Sequence, residues 1–195
     1  MKINPQKITN YNRTDKELEF FLLFCVCVAG KKSDIQARKL EQWYDNRVYH
    51  QDSPFDYIER LDDYGQLRKS LEEVKMGQYG RLVSSFQDII YYFGLNLRKC
   101  TLQNLCKIRG IKLKTANFFL THSREGYNVP VLDTHILKFL RSEGIKNVPK
   151  STPQDEKHYD SLAKQFVTIA KKRRMTVADL DLKIWKQYST STIRA

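Results

Sequence analysis

Residues 102–140 read LQNLCKIRGIKLKTANFFLTHSREGYNVPVLDTHILKFL, and the fold follows from how this stretch divides. Apolar residues at helical spacing flank a tight basic turn at Arg109-Gly110, predicting two helices joined as a hairpin. A short connection containing Gly126 and Pro130 then leads to Asp133, at the mouth of a third helix.

The same period runs outward in both directions. Thr14-Asp15-Lys16-Glu17 has the form of a capping box and opens a helix that is apolar almost all round from Leu18 to Ala29. Ser33-Asp34-Ile35-Gln36 has the same form, and Ile35, Leu40, Trp43 and Tyr44 predict the buried face of a second helix. Ser53-Pro54 opens a short helix through Leu61, and residues 64–75 continue with Leu67, Leu71 and Val74. A helix over 81–93 carries Leu82, Phe86, Ile89, Ile90 and Phe93, and Gly94 and Asn96 break it. Beyond the central stretch, Thr152-Pro153 predicts a long helix to about Arg174 with Tyr159, Leu162, Phe166, Ile169 and Ala170 inward. Thr176-Val177-Ala178-Asp179 caps a last helix bearing Leu180, Leu182, Ile184 and Trp185. Residues 1–13 read as an extended arm. No segment alternates with period two over a strand's length and none repeats, so the predicted class is all-α with about ten helices.

Composition bounds the function. At 195 residues the chain is one large domain or two small lobes. Lys and Arg number 34 against 22 Asp and Glu, a formal charge of +12 that favours polyanions. Arg98, Lys99, Lys107, Arg109, Lys112 and Lys114 fall in one run without an acid. The longest apolar run, Phe20 to Ala29, is too short to span a bilayer, and the N-terminus lacks a secretory pattern, so no membrane role and an intracellular location are expected. Cys25, Cys27, Cys100 and Cys106 form no CxxC, and the four histidines have no metal-ligand spacing. Reduced, partly buried thiols and no metal are therefore expected.

Residues 105–116 have the form of a helix-hairpin-helix, in which backbone N–H groups and the start of the second helix face a phosphate. Read alone, the same residues also describe a packing hairpin with a solvated basic rim. A lysine in a helix's first turn is usually solvated, and an aspartate before a helix is usually an N-cap.

Lys114-Thr115-Ala116-Asn117, followed by Val131-Leu132-Asp133-Thr134-His135-Ile136 with its aspartate nineteen residues after the lysine, resembles the helix-hairpin-helix, Gly/Pro-Asp superfamily of DNA glycosylases. The KTAN and LDTHI wording is similar to the endonuclease III branch, but no cysteine beyond Cys106 is present for that branch's iron–sulfur cluster. Residues 24–29 (FCVCVA) and 175–185 (MTVADLDLKIW) resemble the compact archaeal-type 8-oxoguanine glycosylase-lyases. The resemblance touches residues from about 18 to 188.

The resemblance implies a bifunctional DNA glycosylase and abasic-site lyase of base excision repair, with Lys114 as nucleophile and Asp133 assisting it. Arg109, Gly110, Lys112, Thr115 and His135 would contact DNA, and Trp185 would line the base pocket. Lys112 stands where the family's hairpin usually has a second Gly, putting a side-chain charge where backbone would approach phosphate. The implied partner is duplex DNA with a damaged or modified base, 8-oxoguanine first, bound by a monomer without cofactor. An oxidised-pyrimidine substrate and a non-catalytic DNA-binding module are the alternatives. The expected layout is one glycosylase domain over 1–195 in two lobes. One lobe joins 14–32 to 136–195, and the other is 33–135 with the hairpin at 102–124.

Overall fold

The structure, a computed structural model, describes residues 1–91 and 95–191. Phe93 and Gly94, expected in a helical stripe and at its end, lie outside the described residues. The described chain is all-helical: a 3-10 turn at Pro5–Lys7 and ten α-helices, with no strand. The turn replaces part of the extended arm expected for residues 1–13.

Contacts group the chain into two compact units, Met1–Lys7 with Asn12–Ile111, and Ile8–Tyr11 with Lys112–Ala195. The lobes expected from the sequence, 14–32 with 136–195 and 33–135, cut the chain at other places.

In the first unit α1 (Asp15–Cys27) is the central element, packed on α2 (Ser33–Asp45), α3 (Pro54–Asp63) and α5 (Tyr79–Tyr91). Phe20 through Cys27 are all buried, as an all-round apolar helix requires. Each such Phe or Leu contributes about 1.5–3 kcal/mol by leaving water. Thr14 and Glu17 form the reciprocal capping box. Trp43 fills the space between α2, α3 and α5, its ring 4.8 Å from Tyr57 and 5.9 Å from Phe86. Its indole N–H donates to Ser70 Oγ on α4 (Leu67–Glu73) at 2.9 Å, so the aromatic body is dry and its one polar atom is paired. Ser53 and Asp56 cap α3 as its sequence suggests. The short α6 (Leu102–Cys106) starts from a Thr101–Asn104 box.

The second unit holds α7 (Leu113–Ser123), α8 (Thr134–Ser142), α9 (Glu156–Lys172) and α10 (Val177–Ser191), with α10 packed on the other three. Residues Ile8–Tyr11 belong to it. Ile8 is buried, Asn10 N–H donates to the His122 carbonyl at 3.1 Å, and Thr9 Oγ1 lies 2.8 Å from His122 Nδ1.

Three local expectations need correction. Ser33 is the first residue of α2 rather than its cap: Lys32 holds the N-cap position and makes no side-chain cap bond. Ile35, placed on the buried face, is 38% exposed. α9 starts at Glu156 with Asp155 as its cap, because the Thr152 hydroxyl donates instead to the Leu132 carbonyl at 2.7 Å. Cys25, Cys27 and Cys100 are buried free thiols and Cys106 is half-buried, as expected.

Candidate active site

The hairpin turn lies in the first unit. Leu105 within α6, and Ile108 and Ile111 after it, are buried and pull the turn onto that unit's core. Gly110 sits at φ +82°, and a Cβ there would meet Ser85 Oγ at 2.6 Å, so both conformation and space require glycine. Ser85 on α5 donates to the Arg109 carbonyl at 2.5 Å. Asp88, one turn further along α5, accepts from Arg109 three ways: backbone N–H to Oδ2 at 2.8 Å, Nε at 2.9 Å and Nη2 to Oδ1 at 2.6 Å. The Arg109 guanidinium beside it, then the Arg109 amide, hold the Asp88 carboxyl below the usual carboxylate range against the effect of burial. Arg109, expected to meet DNA, thus also locks the turn. Asp88 escaped the sequence reading, although an acid between the apolar Phe86 and Ile89 signals a buried partner.

The second unit, taken by itself, carries the other candidate residues. Lys112 is the N-cap residue of α7 in an extended conformation, exposed and without a side-chain cap bond. The first turn of α7 holds no acid, so its free N–H groups and dipole present positive potential. Lys114 is half-buried in that turn, and Thr115 is buried beside it. Burial makes Thr115 a packing residue as well as a candidate for phosphate.

Asp133 caps α8. Its Oδ1 accepts from the amides of His135 at 2.8 Å and Ile136 at 2.9 Å, so the carboxylate is held in place while Oδ2 makes neither of those bonds. The N-cap and catalytic readings of this residue are compatible. His135 is half-buried, with Nδ1 inaccessible to solvent and without a hydrogen-bond partner among the described residues, and its ring stacks on Tyr188 of α10 at 6.1 Å.

Asp181, Trp185 and Tyr188 are four and three residues apart, on one face of α10. Asp181 bonds the Val131 amide at 2.7 Å and Tyr188 stacks on His135, and Trp185, half-buried, shares their helix face. Tyr188 was missed in the sequence, where only its position on the Asp181–Trp185 stripe could have found it.

Comparisons with known proteins bear on the family and the fold. The 8-oxoguanine DNA glycosylase family model matches residues 3–175, which include the hairpin, Lys114, Asp133 and His135. The fold is similar to the crystal structure of Tm1821, the 8-oxoguanine DNA glycosylase of Thermotoga maritima. The TM-score is 0.69 at 20% identity, covering 93% of this chain and 85% of that one. At that identity the likeness speaks for the fold, and the family match for descent. With a helix-hairpin-helix turn, an all-helical fold and a match over most of its length, the chain belongs to the 8-oxoguanine DNA glycosylase family and is a DNA glycosylase acting on DNA.

Proposed function

We propose that the chain, working over 1–195 as one glycosylase domain and as a monomer inside the cell, excises 8-oxoguanine from duplex DNA and then nicks the strand as an abasic-site lyase. What supports this reading is that one unit holds both a half-buried lysine, in an acid-free helix start, and an aspartate immobilised by its own cap.

The damaged nucleotide leaves the stack at a cost of about a few kcal/mol, and Trp185 stacks on its base. Lys114 Nζ attacks the sugar C1′ through its lone pair as the N-glycosidic bond breaks. Asp133, through the oxygen not used by its cap, stabilises positive charge on the sugar, then accepts the proton that Nζ loses on bonding to C1′ and passes it to the departing base. Loss of the ring oxygen's bond to C1′ leaves a protonated Schiff base. Removal of a C2′ proton then expels the 3′ phosphate by β-elimination, and water releases the enzyme. Lys112, Arg109, the Gly110 turn and Thr115 bind backbone phosphate, and His135, whose Nδ1 has no hydrogen-bond partner among the described residues, contacts the DNA.

A second substrate class, oxidised pyrimidines, is favoured by the Lys114-Thr115-Ala116-Asn117 wording. Borohydride trapping on duplexes containing 8-oxoguanine, thymine glycol or an abasic site separates the readings. The wild type is expected to give a covalent adduct with 8-oxoguanine and abasic duplexes, and Lys114→Gln none. No adduct on any duplex overturns the lyase chemistry, an equal adduct from Lys114→Gln removes that lysine, and reaction with thymine glycol alone moves the substrate.

A further inference from the structure

Residues Val129–Asp133 belong to no helix, yet side chains from three helices and one loop take up their backbone polar groups. Thr121 Oγ1 on α7 donates to the Val129 carbonyl at 2.5 Å. Tyr159 Oη on α9 donates to the Pro130 carbonyl at 2.8 Å and accepts the Leu132 amide at 3.1 Å. Asp181 Oδ2 on α10 accepts the Val131 amide at 2.7 Å, and Thr152 Oγ1 donates to the Leu132 carbonyl at 2.7 Å. Asp133 N–H turns back onto the Val131 carbonyl at 2.6 Å, and Pro130 has no N–H to satisfy.

The brace has its own support. Asp181 Oδ1 lies 3.7 Å from His122 Nε2, with both side chains nearly inaccessible, and His122 Nδ1 meets Thr9 Oγ1. Burial pushes the Asp181 carboxyl up, and His122 opposes the shift. Asn117 Oδ1 accepts from Tyr127 Oη at 2.6 Å, adding a part-buried polar pair. Burying a carboxylate and a phenol is costly, and core packing needs neither. Their bonds here go to three consecutive residues immediately before Asp133.

We propose that Tyr159 and Asp181 are positioning residues for Asp133: they hold the 130–132 backbone so that the capped carboxylate meets the reacting sugar in one geometry. The inference rests on the role given to Asp133 under the proposed function. Displacing a catalytic group by about 1 Å costs on the order of 100-fold in rate, which is the scale on which such a brace acts.

The test compares Tyr159→Phe, Asp181→Ala, Asp181→Asn and the milder Thr152→Val in the full chain. The readouts are single-turnover adduct trapping on an abasic-site duplex, affinity for a duplex with a non-reactive abasic analogue, and thermal unfolding. At temperatures where every variant is folded, Tyr159→Phe and Asp181→Ala are expected to slow trapping by about 10- to 100-fold with affinity unchanged. Thr152→Val is expected to slow it less. Asp181→Asn keeps an oxygen acceptor for Val131 and is expected to restore most of the rate lost in Asp181→Ala. Slowing that only tracks the unfolded fraction, or equal slowing by Asn and Ala at 181, overturns the proposal; if the first two variants do not fold, Thr152→Val and Asp181→Asn decide it, wild-type speed from the former overturning it. Lys114→Gln and Asp133→Asn run alongside. If they abolish trapping while the brace variants do not slow it, the brace alone fails; if they trap normally, or the wild type does not trap, the active-site reading fails and the brace with it.

Discussion

Asp88 holds Arg109 by its backbone and its side chain at once, accepting the amide at 2.8 Å and the guanidinium through Nε and Nη2. One buried acid on α5 thereby sets the conformation of the hairpin turn. Asp88→Ala leaves the Arg109 amide without its acceptor and is expected to destabilise the chain by about 2 kcal/mol. Arg109→Ala is expected to cost less, because that side chain is more than half exposed and water screens its pairing. Urea unfolding of both variants checks the order.

The same pair makes stability depend on pH. The Asp88 carboxyl is held below its usual value when folded, so the unfolded chain binds protons more readily as pH falls. The contribution is complete above the unfolded carboxylate value of about 4 and is lost as pH falls through the lower folded value. Wild type and Asp88→Asn should therefore converge in urea midpoint as the buffer is taken down from about pH 6. A gap that stays constant into the acid range would refute the assignment.

Gly110→Ala meets two obstacles, the positive φ of +82° and a Cβ 2.6 Å from Ser85 Oγ. The expected destabilisation is about 1–3 kcal/mol. Pairing the substitution with Ser85→Ala should recover only the steric part, leaving the backbone strain. Calorimetric unfolding of the single and double variants separates the two.

Salt dependence distinguishes the two hairpin cations. Lys112 is exposed and makes no cap bond, so Lys112→Ala should reduce the slope of log affinity against log salt by about 0.9 if that lysine meets a phosphate. Arg109 is already partly neutralised by Asp88, so Arg109→Ala should change the slope less. Fluorescence anisotropy on an undamaged duplex over a range of salt measures both.

Cap and catalyst separate at Asp133. Asparagine is an equally good N-cap, so Asp133→Asn should keep the stability of α8 while losing base release and trapping. Asp133→Ala should lose both activity and about 1 kcal/mol of stability. Retained activity in the asparagine variant would remove the carboxylate from the mechanism.

What could be read from the sequence was local. The all-helical class, the caps at Thr14, Ser53 and Thr176, the buried α1 and the hairpin residues follow from side chains three or four positions apart, where helix geometry sets the partner. Lys114 at the start of α7 and Asp133 at the cap of α8 belong to this group, since each position follows from its own helix.

Only the tertiary structure decided the partners separated along the chain. Thr152 opens no helix because its hydroxyl is taken by Leu132, twenty residues away. Arg109 meets Asp88 across 21 residues, Val131 meets Asp181 across 50, and Thr9 meets His122 across 113. No periodicity encodes such pairs: the helices must pack before a buried acid finds its amide, and that packing is what places Asp181 against Val131 and Tyr188 against His135, two residues to either side of Asp133.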